Sequence, residues 1–108
     1  MANNYKFKGV ALATLTQTNL VTAETGETLI IKSVIITNNT ANTPTVSLDV
    51  TDSSPAGTFT ILRTHALTAN TSEELLTKPL VLEAGDILKA TMSSTDSVHI
   101  TLSYLVIT

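Results

Sequence analysis

Along this chain apolar side chains recur at every second position, and no window of a dozen residues carries them convincingly at i, i+3, i+4 and i+7. A spacing of two places successive side chains on opposite faces of an extended strand, whereas a helix needs a period near 3.6. The clearest case runs from Thr45 to Thr51. Val46, Leu48 and Val50 share one face, and Thr45, Ser47, Asp49 and Thr51 share the other. That alternation describes a strand with one face in solvent. Residue type agrees with spacing. Threonine occurs 21 times among the 108 residues, and Val and Ile are abundant. Branching at Cβ stiffens χ1 and favours extended backbone over helix.

Further strands are expected at about Lys8–Leu15, Leu29–Thr37, Thr58–Arg63, Leu75–Leu82, Asp86–Met92 and Val98–Ile107. Turn chemistry separates them: Glu24-Thr25-Gly26-Glu27, Asn38-Asn39-Thr40-Ala41-Asn42, Asp52-Ser53-Ser54-Pro55-Ala56-Gly57, Ala84-Gly85-Asp86 and Ser93-Ser94-Thr95-Asp96. Gly, Pro, Asn, Asp and Ser supply the backbone conformations a reversal needs. Pro79 lacks an N–H, which makes its run an edge strand or a bulge. Short strands about 8–12 residues apart predict an all-β fold, a single antiparallel β-sandwich of seven to eight strands, either jelly-roll-like or Ig-like. The length suits one domain. Residues 10–108 form the expected sandwich, and residues 1–9 a possible N-terminal arm.

Two strands carry more apolar surface than one inner face can use. In Leu29–Thr37, strict alternation sets Ile30, Val34 and Ile36 on one face and Leu29, Ile31 and Ile35 on the other. In Val98–Ile107, Val98, Ile100, Leu102, Tyr104 and Val106 share a face, while His99, Thr101 and Ser103 are joined on the other by Leu105 and Ile107. Tyr5 and Phe7 alternate with Lys6 and Lys8 in a stub before Gly9. It reads as a first strand or as an arm that docks on a neighbour. A strand apolar on both faces is normally covered on both. Tyr5, Phe7, Leu29, Ile31, Ile35, Leu105 and Ile107 therefore form the candidate interface with something outside the fold.

Composition narrows what that something is. Charged residues make up 14% of the chain and the net charge is −3. The six basic residues, Lys6, Lys8, Lys32, Arg63, Lys78 and Lys89, are scattered, with no stripe to track phosphates, so nucleic acid is not an expected partner. No stretch reaches the roughly 18 apolar residues of a membrane helix, and no signal-peptide run follows the N-terminus, so synthesis in a cytoplasm is expected. Without cysteine there are no disulfides or thiolate metal sites.

Catalytic constellations are equally scarce. His65 and His99 have no carboxylate or second histidine at ligand spacing and read as surface residues. Asp49 and Asp52 make a single acidic pair, too few oxygens for calcium. Thr71 and Glu74 have capping-box spacing, which fits one helical turn as well as a loop feeding an edge strand. No serine lies in a nucleophile elbow, and no phosphate-binding or dinucleotide fingerprint is present. Paired carboxylates for glycoside chemistry usually sit in an aromatic-lined cleft, and Tyr5, Phe7, Phe59 and Tyr104 are the only aromatics. Neither an enzyme nor a cofactor is expected. The same poverty of stacking platforms weakens a carbohydrate-binding adhesion module as an alternative. Asn38-Asn39-Thr40 and Asn70-Thr71-Ser72 match the glycosylation sequon, read as coincidence in an Asn- and Thr-rich chain.

Leu29-Ile30-Ile31-Lys32-Ser33-Val34-Ile35-Ile36-Thr37-Asn38-Asn39 resembles a strand leading into an Asn-rich turn in small bacteriophage virion proteins. Leu82-Glu83-Ala84-Gly85-Asp86-Ile87-Leu88, followed by a last strand ending Ser103-Tyr104-Leu105, fits the same group. That group includes head-decoration (cement) proteins and neck or tail accessory proteins, and the likeness spans about residues 10–108. The resemblance implies a β-sandwich acting as a symmetric homo-oligomer, a trimer favoured, on the virion surface. Its implied partners are the major capsid protein or other virion proteins. It carries over no functional residues, because such proteins work through surfaces.

Overall fold

A computed structural model describes residues 2–53 and 56–108. Ser54 and Pro55, in the turn expected after the fourth strand, and Met1, at the head of the expected arm, lie outside the described residues. The described residues form nine strands and no helix: β1 (Asn3–Leu12), β2 (Thr18–Thr22), β3 (Thr28–Asn38), β4 (Thr45–Ser53), β5 (Ala56–Ala66), β6 (Ser72–Glu74), β7 (Leu80–Leu82), β8 (Ile87–Met92) and β9 (Val98–Ile107). All pairings are antiparallel. One sheet has the order β1-β9-β3, with β6 and β7 both on the far edge of β3. The other has the order β2-β8-β4-β5.

The sheets pack against each other around a single apolar cluster. Leu29, Ile31, Val34 and Ile36 of β3 and Val98, Ile100, Leu102 and Val106 of β9 meet Val46, Leu48 and Val50 of β4 and Leu88, Ala90 and Met92 of β8. Val46, Leu48 and Val50 alternate with half-buried Ser47 and Asp49, as the period of two predicts.

The apolar surplus of β3 has a local cause. Its pairing with β9 shifts register between Ile31 and Ser33, so Lys32 is an extra, bulged residue. A bulge resets which face each later side chain takes. Before it, Leu29 and Ile31 point inward, at 1% and 0% exposure; after it, Val34 and Ile36 do, at 0% and 1%. Strict alternation had grouped Ile30 with Val34 and Ile36, and Leu29 and Ile31 with Ile35. The bulge corrects this: Leu29 and Ile31 are core and leave the candidate interface, and Ile30 joins the outer face.

The bulge lies beside a break in the neighbouring edge. The run expected as Leu75–Leu82 is split into β6, ending at Glu74, and β7, beginning at Leu80 just after Pro79. Glu74 bridges the gap. Its carboxylate accepts the Val34 N–H at 2.7 Å and the Leu76 N–H at 3.2 Å, and it also takes the Ser33 hydroxyl. The Leu75 N–H returns to the Val34 carbonyl at 2.7 Å. Backbone groups that a continuous strand would have satisfied are thus met locally.

Two elements depart from expectation. β2 was not anticipated; it has five residues, and its register shifts between Asn19 and Val21, which lets consecutive Leu20 and Val21 both be buried. β1 starts at Asn3, so residues 3–9 of the expected arm pair with β9 from Ile107 to Thr101. Ala2 and Thr108 extend that ladder with reciprocal N–H to carbonyl bonds.

Asp86 ties the turn before β8 to the end of β4. It is 6% exposed and accepts the backbone N–H of Ser53 at 3.1 Å and of Glu83 at 2.9 Å. Gly85 beside it has φ +91°, and a Cβ there would stand 2.7 Å from Ser53 Oγ, so the turn admits only glycine without rearrangement. Burial pushes the Asp86 carboxyl up, but the Ser53 and Glu83 amides, with side-chain bonds to Asp52 and Ser53, outweigh it and leave the group below its ordinary value. A lowered folded pKa means stability present above the unfolded value, about 3.9, and lost as pH falls through the folded one. Urea titrations from pH 7 to pH 2 should therefore show an acid loss of stability that Asp86→Asn diminishes. An identical pH profile in the variant would remove Asp86 from acid unfolding.

Candidate functional site

Directly opposed residues in an antiparallel sheet share a face. The register therefore defines the outer face of the β1-β9-β3 sheet row by row. Tyr5 opposes Leu105, Leu105 opposes Ile30, and Ile30 opposes Val81, an unbroken apolar row across four strands. On one side lies Asn3, Ile107 and Thr28; on the other Phe7, Ser103 and Ser33. Beyond Phe7 come Gly9, Thr101, Ile35 and Glu74, and then Ala11, His99, Thr37 and Ser72.

Tyr5 is 78% exposed, Phe7 70%, Val81 56% and Ile35 39%, while Leu105, Ile107 and Ile30 are half-buried by their neighbours. Five of the seven sequence-level candidates, Tyr5, Phe7, Ile35, Leu105 and Ile107, thus share one face. Ile30 and Val81 complete it, and neither was visible in the sequence. Ile30 was hidden by the Lys32 bulge. Val81 sits in a three-residue strand behind Pro79, too short to show a period. Beside the Phe7 ring the face dips, because Gly9 carries no side chain. The depression, about 280 Å³, is lined by Gly9, Val10, Ala11, His99, Ile100 and Thr101.

Charge is sparse on this face. The bulged Lys32 and the edge residue Glu74 are its formal charges, one of each sign, and Glu74 is occupied by Ser33, Val34 and Leu76. The inner side of β1 differs: Lys6 and Lys8 lie opposite Tyr104 and Leu102, and both are exposed. The outer face of the second sheet is polar, with Ser47 opposite Thr91 and Asp49 opposite Lys89. Phe59 and Ile61, on the edge strand β5, are 56% and 41% exposed.

No group of three His, Asp or Glu side chains among the described residues could hold a metal ion. His99 lies on the outer face next to Asn39, 3.4 Å away. His65, for which no partner was expected, meets Glu73 at 2.5 Å. That contact joins the β5 edge of one sheet to the β6 edge of the other and closes the seam between them. Thr71 and Glu74 form no capping box, since Ser72–Glu74 is strand β6. Of the two sequons, Asn38 is buried and its Nδ2 is already bonded to two carbonyls, which closes it to a glycan.

Comparison with protein-family models, with curated proteins and with solved structures found no match. The geometry of the surface is therefore what carries a functional reading.

Proposed function

We propose that this chain is a non-enzymatic structural protein of a bacteriophage virion, made in the host cytoplasm, that binds assembled major capsid protein as a decoration (cement) protein and works as a homo-oligomer. The observation that carries the assembly part of this reading is the apolar row Tyr5-Leu105-Ile30-Val81, which crosses four strands on the outer face of one sheet and ends in exposed side chains at both edges. A contiguous exposed apolar patch marks an interaction surface. Burying each large apolar side chain contributes roughly 1.5–3 kcal/mol. The virion assignment rests on the resemblance of segments 29–39 and 82–105.

The strand order supports it at the level of architecture. If β6 and β7 are one interrupted strand, β1-β9-β3-β6/β7 faces β2-β8-β4-β5. We read this as a jelly roll, a layout shared by viral capsid and lectin domains. Fold alone does not assign function.

A protein that binds the assembled shell and not its free subunits shifts the equilibrium toward the shell. Purified protein mixed with shells that lack it should appear as regularly placed density by cryo-electron microscopy and should raise the melting temperature of the shell. Density at the neck, collar or tail would move the protein there. Bare shells with unchanged melting would overturn the proposal.

A further inference from the structure

We propose that the outer face of the β1-β9-β3-β7 sheet is covered by a second copy of this chain, packed sheet on sheet about a two-fold axis. The inference rests on the assembly reading above and deepens it by naming what lies on the apolar face.

Size is the first support. Three strands about 4.8 Å apart over ten rows about 3.3 Å apart, with three residues each of β6 and β7 along the far edge, outline a face of roughly 600 Å² before side-chain relief is added. A stable interface takes about 800 Å² from each partner. The aromatic side chains that stand proud of the face, Tyr5 and Phe7, supply that relief.

Charge is the second. Two copies each carrying −3 repel one another wherever their carboxylates meet. On this face the formal charges are Lys32 and Glu74, which sum to zero, so stacking here leaves the net negative charge outside the contact. Depletion of charge at the centre is also what distinguishes interface cores from ordinary surface.

Shape is the third. A two-fold interface is made by one patch meeting itself, so protrusion and recess must both lie on it. Here the Phe7 ring stands beside the depression at Gly9 and Thr101. Across a two-fold axis between them, the ring of each copy enters the recess of the other.

The free edge of β1 offers a rival way for two copies to meet, by extending the sheet. The sequence disfavours it. Antiparallel pairing of β1 with its symmetry mate about Phe7 would set Lys6 opposite Lys8 of the second copy. Like charges directly opposed destabilise a strand pair, and lysines on edge strands commonly prevent such pairing. Face-to-face stacking leaves both lysines in solvent. A two-fold dimer differs from the trimer favoured above, and oligomeric state separates the two.

Sedimentation equilibrium of the full chain, without shells, tests the idea. The wild type should have the mass of a dimer that dissociates on dilution. Phe7→Asp and Val81→Asp each change an exposed residue and should keep the β-rich far-ultraviolet circular dichroism spectrum. Each should raise the dimer dissociation constant by roughly a hundredfold or more, because a two-fold contact feels every substitution twice. Lys6→Glu, and Phe59→Asp on the other sheet, should leave it unchanged. A monomer at all concentrations, a trimer, or a dimer indifferent to both Phe7→Asp and Val81→Asp overturns the inference. Tightening by Lys6→Glu, which under edge pairing would set a carboxylate opposite Lys8 of the second copy, overturns it in favour of edge pairing. A monomer that still decorates shells would sink the dimer and leave the virion reading standing; a dimer that ignores shells would do the reverse.

Discussion

Ile31→Ala will lower the unfolding free energy by about 2–5 kcal/mol, and Ile30→Ala, one residue away, by less than about 1.5 kcal/mol. The contrast follows from strand alternation, and the bulge sets which later residues share the inward face of Ile31. Ile31 is fully buried, opposite Tyr104 on one side and Leu80 on the other, and its truncation leaves a cavity in the shared core. Ile30 is only half-buried on the outer face, opposite Leu105 and Val81. Urea denaturation in the Phe7→Asp background, where association does not mask the effect, gives both values. Ile36→Ala, inward after the bulge at 1% exposure, should cost as much as Ile31→Ala; a loss there as small as at Ile30 would mean that β3 alternates without interruption and that Lys32 is not bulged. The three variants together test the feature that decides which half of this strand's apolar residues is available to a partner.

Asn38→Leu will cost roughly 2–4 kcal/mol although it replaces a buried polar residue with an apolar one of similar size. Asn38 is 1% exposed at the end of β3. Its Nδ2 donates to the carbonyls of Asn42 at 2.8 Å and Thr68 at 3.3 Å, and its Oδ1 accepts the Thr40 N–H at 3.0 Å and the Thr40 hydroxyl at 2.7 Å. The Asn38 N–H also donates to the Thr71 carbonyl at 2.9 Å. One side chain thereby fastens the β3–β4 loop to the β5–β6 loop, and leucine would leave several of these groups unpaired. An unpaired buried donor or acceptor costs more than the net worth of the bond it lost. The expected measurement is a lower urea midpoint at an unchanged slope. A change below about 0.5 kcal/mol would show that the loops hold together without this residue, the size expected of an ordinary surface substitution.

Much of the fold was legible because it depends on local physics. β4 could be read from Thr45 to Thr51 because one of its faces meets the core and the other meets water, which writes a period of two into the residues. β9 showed its inner face for the same reason. The reversals at Gly26 and Gly85 were legible because both need φ above zero, at 82° and 91°. Leu105 and Ile107 could be named as surplus because their strand has already supplied an inner face, and Tyr5 and Phe7 because they alternate with lysines in a stub that has no core partner of its own in the sequence.

What the sequence could not display depends on pairing between distant segments. The bulge at Lys32 lies where β3 bonds to a ten-residue strand on one edge and passes the gap between two short ones on the other. No residue within Leu29–Thr37 announces that division. β2 is short and bulged, so its burial of Leu20 and Val21 obeys no period. The meeting of His65 with Glu73 and the placement of Val81 beside Ile30 are products of sheet order. Sequence by itself determined that this chain makes short antiparallel strands with more apolar surface than one core consumes, because side-chain alternation is a property of each strand alone. Only the tertiary structure decided that the surplus gathers in one apolar row, Tyr5-Leu105-Ile30-Val81, because register across four strands is set by hydrogen bonds between residues up to about a hundred positions apart.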